Sequence, residues 1–167
     1  MSVLIGERFA CVRIAGRANF SSSIDFRTLL GALLEKGYRY FMLDLSECAL
    51  MDSTFLGVLA GFGLKLNSPQ PAPAHAAIEL LNPNERISEL LENLGVLHLF
   101  RVAHGPLVVP EGAYPCETPS TNPTKQEFTR ACLEAHQTLM ALNAANVARF
   151  KDLTQFLAED LNRLKEQ

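Results

Sequence analysis

The sequence has no apolar stretch long enough to span a membrane. Its longest nearly uninterrupted apolar run, residues 55–64, is well short of the roughly 20 residues that a bilayer-spanning helix needs. The first ten residues contain Glu7 and Arg8 where a signal peptide would need apolar side chains. We therefore expect a cytoplasmic protein that does not associate with a membrane.

Positive charge is not in excess either. The 167 residues include 15 Lys and Arg against 18 Asp and Glu, which gives a formal net charge of -3 and an isoelectric point near 5.8. A surface that binds nucleic acid needs a basic patch to neutralise phosphates. This charge balance argues against nucleic acid as a partner.

Patterns for metal binding, disulfides or catalysis are also missing. The four cysteines and four histidines are scattered without ligand spacing, and Cys11 and Cys48 lie inside apolar segments, where reduced cysteine packs like a small hydrophobe. No serine or cysteine has a base and an orienting partner recognisable in the sequence. We expect no metal site, no cofactor and no enzymatic activity.

Strand and helix patterns alternate over residues 1–103. Strands are predicted over 3–5, 9–14, 40–45, 76–81 and 96–102, and helices over 21–36, 53–66 and 83–94. The hydroxyls of residues 21–23 are expected to cap the first helix. This order predicts an α/β fold with a mostly parallel sheet and an antiparallel edge formed by the opening hairpin.

The rest of the chain differs in composition. Residues 104–123 contain five prolines, which exclude a helix or an interior strand and predict a linker or a strap over the surface. Residues 124–167 carry apolar residues at three- and four-residue steps and predict one long helix, or two with a bend between Asn143 and Asn146. Their apolar face could pack onto the domain or onto its copy in a dimer.

The start of the second helix is the best candidate for a functional site. A phosphate on Ser53, in the first helical turn, would face free backbone N–H groups and gain about 0.3–1 kcal/mol from the helix dipole. With the adjacent Asp52 it would form a strongly negative spot. The alternative is that Asp52 or Ser53 is only an N-cap.

Three glycines lie further along this helix, at residues 57, 61 and 63. No Gly-Lys-Ser/Thr follows them, so they are interpreted as spacers that let the helix pack closely on the sheet.

The segment Asp52-Ser53-Thr54-Phe55-Leu56-Gly57-Val58-Leu59 resembles the signature of the STAS domain family, Asp-Ser-Ser-Gly-Leu-Gly-Val-Leu. Three further segments resemble the family in the same order along the chain. They are Asp44-Leu45 before the signature, residues 14–19 at the strand and turn near the N-terminus, and residues 82–100 at the last strand, helix and closing strand. The resemblance covers residues 1–103.

The resemblance implies a STAS-like fold, with a mixed, mostly parallel sheet of four to five strands and helices, here followed by a C-terminal helical extension. It also implies an anti-sigma-factor antagonist of bacterial signalling and transcription regulation. Such a protein is a switch: a partner anti-sigma factor that is also a serine kinase phosphorylates it, and the phosphorylated form no longer binds that partner. By position the phosphoacceptor is Ser53, which we expect to be exposed. The expected partner-binding surface comprises Asn19, Asp52, Ser53, Thr54 and Phe55.

Two positions depart from the family pattern and favour a second hypothesis. Phe55 replaces the usual Gly, and Asn19 replaces the usual Asp at the end of the early turn. The alternative is a constitutive scaffold of the same fold that forms a homodimer through residues 124–167 and is never phosphorylated. A nucleotide-binding domain is a third hypothesis, disfavoured because no phosphate-binding loop follows a strand.

Overall fold

The computed structural model describes residues 1–68, 77–109, 111–118 and 121–165. The strands are β1 (Ser2–Ile5), β2 (Phe9–Arg13), β3 (Gly16–Ala18), β4 (Tyr40–Asp44), β5 (Cys48–Met51), β6 (Ala77–Leu81), β7 (Arg101–Ala103) and β8 (Tyr114–Cys116). The helices are α1 (Phe20–Glu35), α2 (Ser53–Leu66), α3 (Glu85–Asn93), α4 (Lys125–Leu142) and α5 (Ala145–Lys165). Some of the predicted segments include positions outside the described residues, namely 76, 110, 119, 120, 166 and 167.

The main sheet has the strand order β7-β6-β4-β2-β1-β8. Strands β2, β4, β6 and β7 pair in parallel, whereas β1 is antiparallel to both of its neighbours. The predicted α/β class, with a mostly parallel sheet and an antiparallel opening hairpin, is confirmed. The sheet has six strands rather than four or five, and β3 and β5 form a separate two-stranded parallel sheet.

The sixth strand comes from the proline-rich segment. β8 pairs with β1 at the edge of the sheet, and Pro115 lies opposite Leu4. Proline has no N–H to donate, so it is tolerated where one side of the strand faces away from the sheet. The segment is therefore a strap over part of its length and an edge strand in the middle.

Some local boundaries differ from the sequence prediction. α1 begins after Asn19, whose Oδ1 accepts from Ser22 N at 3.2 Å, so the cap is Asn19 and Ser22 completes a capping box. Residues 97–99 form a 3₁₀ turn before the short strand β7, instead of the start of a longer strand. Both differences are at element ends, where a side-chain cap or a short turn competes closely with continued helix or strand.

The C-terminal region forms two helices that turn back on each other, which is the second of the two predicted possibilities, and the break follows Leu142. Asp160 near the end of α5 lies 3.7 Å from Lys125 at the start of α4, so the helices are antiparallel. α4 packs against α2, and α5 packs against α4. Within the described residues, no helix combines the length and the apolarity that crossing a bilayer would require. We call α4 and α5 together the C-terminal hairpin.

Candidate functional site

The candidate site is built where α1 and α2 begin. Asp52 is the N-cap of α2, and its Oδ1 accepts a hydrogen bond from Phe55 N at 2.8 Å. Its Oδ2 accepts from Phe20 N, the first residue of α1, at 2.7 Å. One carboxylate therefore serves the positive ends of two helices, and Ser53 follows it directly as the first residue of α2.

Asn19 lies beside this junction. Its neighbour Ala18 accepts a backbone hydrogen bond from Asp52 N at 2.9 Å, while Asn19 itself caps α1. The structure thus brings together Asn19, Asp52 and Ser53, each of them half-buried. Asn19 is distant in sequence from Asp52 and Ser53. It follows β3, Asp52 follows β5, and the pairing of β3 with β5 brings the two segments together.

The Ser53 hydroxyl is not freely exposed, contrary to the sequence-based expectation. Ser53 Oγ lies 3.0 Å from Nε2 of His136, which belongs to α4 and is only 3% exposed. The imidazole also packs edge-on against Phe150 of α5, with ring centroids 4.8 Å apart. The hydroxyl is half-covered because the C-terminal hairpin lies against the start of α2.

The direction of this hydrogen bond follows from the second imidazole nitrogen. His136 Nδ1 lies 2.8 Å from the backbone oxygen of Cys132, and a carbonyl oxygen can only accept. In the neutral ring, Nδ1 therefore carries the hydrogen and Nε2 accepts, so Ser53 Oγ–H is the donor. A serine, a histidine and a carbonyl that orients the histidine can also form a catalytic nucleophile and its base. Here the imidazole of His136 is buried among helices, and the hydrogen bond between Ser53 and His136 joins α2 to α4.

Thr54 and Phe55, two residues of the expected partner-binding surface, are buried in this conformation and present little surface to a partner. Phe55 is 0% exposed and its ring centroid lies 4.6 Å from that of Phe26, so it fills the core between α1 and α2. Thr54 is 6% exposed, and its Oγ1 lies 3.7 Å from Sγ of Cys132 on α4. Burial is the largest influence on the Cys132 thiol and raises its pKa.

Gly57 explains how α4 approaches so closely. A Cβ atom built at Gly57 would lie 2.4 Å from the backbone oxygen of Ala135. Gly57 is therefore a spacer, as predicted, but between α2 and α4 rather than between helix and sheet. Gly63 faces Leu99 and Phe100, whereas a Cβ at Gly61 would meet nothing within 4 Å.

Sequence reasoning missed His136, Cys132 and Ala135, the α4 residues that contact the site. A lone histidine on a helix does not indicate what it touches when 83 positions separate it from its partner. The only available signal was Gly57, one turn after Ser53. A glycine inside an apolar helix is unfavourable for the helix and indicates a close neighbour.

A model of the STAS domain matches residues 2–105, more than half of the chain. The chain belongs to the STAS domain family. Among solved structures, this STAS chain is similar to a Thermotoga maritima protein assigned as an anti-sigma factor antagonist, with 20% identity and a TM-score of 0.54 over 63% of this chain and 86% of that one. It is also similar to the anti-sigma factor antagonist SpoIIAA in its unphosphorylated form, with 15% identity and a TM-score of 0.51 over 64% and 90% of the two chains. No curated protein sequence matches it.

At these identities the solved structures support the fold of the STAS domain. The family match ends at residue 105, so β8 and the C-terminal hairpin lie beyond it. The contact between Ser53 and His136 therefore joins the family's domain to a part of this chain outside it.

Proposed function

We propose that this STAS protein is a phosphorylation-controlled protein-binding switch, that Ser53 is its phosphoacceptor, and that its partner is a serine kinase of the anti-sigma-factor type. The observation that carries the proposal is the position of Ser53. It is the first residue of α2, directly after the N-cap Asp52, at the junction of two helix N-termini. In this reading the protein is a substrate of an enzyme and has no catalytic activity of its own.

The electrostatics of the junction favour a phosphate on Ser53. An anion at an exposed helix N-terminus gains about 0.3–1 kcal/mol from the dipole, and here α1 and α2 both direct their positive ends toward Asp52. The carboxylate of Asp52 repels a phosphate on Ser53 only in part, because both carboxylate oxygens already accept backbone hydrogen bonds.

Phosphorylation would act on binding through charge and hydration. A phosphoserine carries about -1.5 to -2 charges at pH 7 and holds water strongly. A partner that docks on the start of α2 would have to remove that water, which costs several kcal/mol and is enough to abolish micromolar binding.

The proposal is tested by intact-mass measurement and peptide mapping of the protein isolated from its native cell. We expect a fraction of the protein to carry one additional phosphate, located on Ser53. A chromosomal Ser53→Ala variant should lose the modification, while Thr54→Ala, the control at the adjacent hydroxyl, should keep it. Wild-type protein without phosphate on Ser53 under all growth conditions would contradict the proposal.

A second candidate, the constitutive scaffold, is favoured by one observation. α5 exposes Leu153 and Phe156, with relative exposures of 40% and 58%, on a helix outside the STAS match. This candidate predicts that replacing both residues by serine in the full chain halves the mass measured by light scattering. An unchanged mass would remove its support.

A further inference from the structure

The C-terminal hairpin covers the face of α2 that carries the phosphoacceptor. The α2 residues that contact α4 include the first, second and fifth residues of the helix, which lie on one face. Ser53 Oγ donates to His136, Thr54 Oγ1 lies 3.7 Å from Cys132 Sγ, and Gly57 meets the Ala135 backbone. A kinase that must enclose Ser53 would meet α4 first.

The hydrogen bond of Ser53 is incompatible with its phosphorylation. With the imidazole neutral and its hydrogen on Nδ1, the Ser53 hydroxyl is the donor to Nε2. In a phosphoserine, phosphorus replaces the hydroxyl hydrogen, so the ester oxygen can no longer donate. His136, 3% exposed, would then keep a buried acceptor without its donor, which is unfavourable. The phosphate would also need to keep water beside a packed helix.

The covering helix is held by polar and small-residue contacts near Ser53 and, further along α4, by Leu139, which is 0% exposed and belongs to the hydrophobic core of the domain. Close to the site they include an exposed ion pair, Arg27 to Glu134 at 2.6 Å, and the small residues Gly57 and Ala135. Exposed ion pairs contribute little to stability. At the start of α4, Thr121 donates to Asp25 of α1, which keeps the proline-rich strap on the domain even if α4 moves.

We infer that the C-terminal hairpin is a regulatory cover that occupies the Ser53 end of α2 in competition with the kinase partner, and that docking of the hairpin and phosphorylation of Ser53 exclude each other. The biological role of the cover rests on the proposed function. The exclusion itself is a property of the contact. By linkage, docking of the hairpin disfavours the phosphorylated state at equilibrium, and a phosphate on Ser53 weakens docking by the same factor.

Cys132 provides a direct measure of docking. Its thiol is half-buried in the contact between α4 and α2, so its rate of alkylation by iodoacetamide reports how often α4 leaves α2. The experiment uses the full chain with Cys116→Ser. Peptide mapping separates Cys132 from Cys11 and Cys48, which are 3% and 2% exposed in the sheet region and report whether the domain stays folded.

The first test compares two glycines of α2. Gly57→Ala forces its methyl group onto the Ala135 backbone, and we expect alkylation of Cys132 to become about tenfold faster. Gly61→Ala, the matched control, makes the same change one turn later in open space and should alter the rate by less than about twofold. Equal rates for Gly57→Ala and wild type, with Cys11 and Cys48 still protected, would overturn the inference.

The second test installs phosphoserine at position 53 during translation, so that no kinase is needed. We expect Cys132 to react at least about tenfold faster than in unmodified protein. Ser53→Ala removes the hydrogen bond without adding charge and should give a smaller increase. Slower alkylation with phosphoserine would mean that His136 binds the phosphate and holds the hairpin in place, which would overturn the inference.

The two tests distinguish failure of the cover from failure of the proposed function. If Ser53 carries no phosphate in the native cell but Gly57→Ala and phosphoserine both release Cys132, the phosphorylation switch is wrong, and the exclusion between docking and a phosphate on Ser53 stands. If Ser53 is phosphorylated in the cell but neither change releases Cys132, the switch stands and the cover is wrong.

Discussion

Ser53 Oγ and His136 Nε2 lie 3.0 Å apart, although 83 positions separate the two residues in the chain. One belongs to the STAS domain, and the other belongs to a helix beyond the family match. The hydrogen bond links the first turn of α2 to the middle of α4, and it ties the state of the hydroxyl to the position of the helix.

This pair predicts a measurable coupling energy. In a double-mutant cycle with Ser53→Ala and His136→Ala, urea unfolding should give an interaction of about 0.5–1.5 kcal/mol, the usual net contribution of one hydrogen bond. His98 is exposed, so the cycle of Ser53→Ala with His98→Ala is the control and should give no coupling. A coupling no larger than that of the control cycle would show that the contact does not stabilise the docked hairpin.

Phe55 should act in stability and not directly in recognition. It is 0% exposed and packs on Phe26, so Phe55→Ala should lower the free energy of unfolding by about 3–5 kcal/mol through lost burial and a cavity. Phe156, 58% exposed, is the matched control, and Phe156→Ala should change stability by less than about 0.5 kcal/mol. Both values come from chemical denaturation, and equal losses would contradict the assignment of Phe55 to the core.

The parts of the fold that the sequence predicted correctly are those with a local pattern. The period of apolar residues in 21–36 and 53–66 predicts helices, and the continuous apolar run within 40–45 predicts a strand covered on both faces; the structure has these elements at 20–35, 53–66 and 40–44. The sequence also indicated a possible break in the C-terminal helical region near Asn143, because two asparagines interrupt the apolar stripe there.

What the sequence could not predict depends on contacts between distant segments. β3 and β5 have three and four residues and are stabilised by pairing with each other, so neither has a pattern of its own. The prolines of residues 104–123 excluded a helix or an interior strand, but they did not indicate that Pro115 lies in an edge strand next to β1. The C-terminal hairpin covers Ser53 because of where α4 docks. The amphipathic pattern of α4 predicts a helix but does not predict that position.

Asn146 should anchor the turn of the hairpin to the domain. It is 0% exposed, and its Nδ2 donates to the backbone oxygens of Leu94 at 2.9 Å and Leu139 at 2.8 Å. Asn146→Ala removes the donor to the Leu94 oxygen, whereas the Leu139 oxygen keeps a hydrogen bond from Asn143 N, and the substitution should lower the free energy of unfolding by about 1–3 kcal/mol. Asn162 is exposed on the same helix, and Asn162→Ala should be neutral or slightly stabilising because alanine favours helices. A neutral Asn146→Ala in urea denaturation would contradict this role.

Arg13 should make the stability of the domain depend on pH through Asp44. The carboxylate is 2% exposed; burial raises its pKa, but hydrogen bonds from Ser46 and from Arg13 at 2.8 Å outweigh burial and hold the pKa below its usual value of 3.8. Because the folded-state pKa is lowered, the ionised group stabilises the fold above pH 3.8, and this stabilisation is lost as the pH falls through the folded-state pKa.

Arg13→Ala should therefore lower the free energy of unfolding at pH 7, because it removes a charged donor to the buried carboxylate of Asp44. The difference from wild type should shrink as Asp44 becomes protonated in both proteins, and urea denaturation between pH 7 and pH 3 measures it. Arg17→Ala removes an exposed arginine close by and should give a small difference that varies little with pH. If the Arg13→Ala difference stayed constant over this range, the arginine would be acting through packing of its side chain, because an ion pair with Asp44 cannot outlast the protonation of that carboxylate.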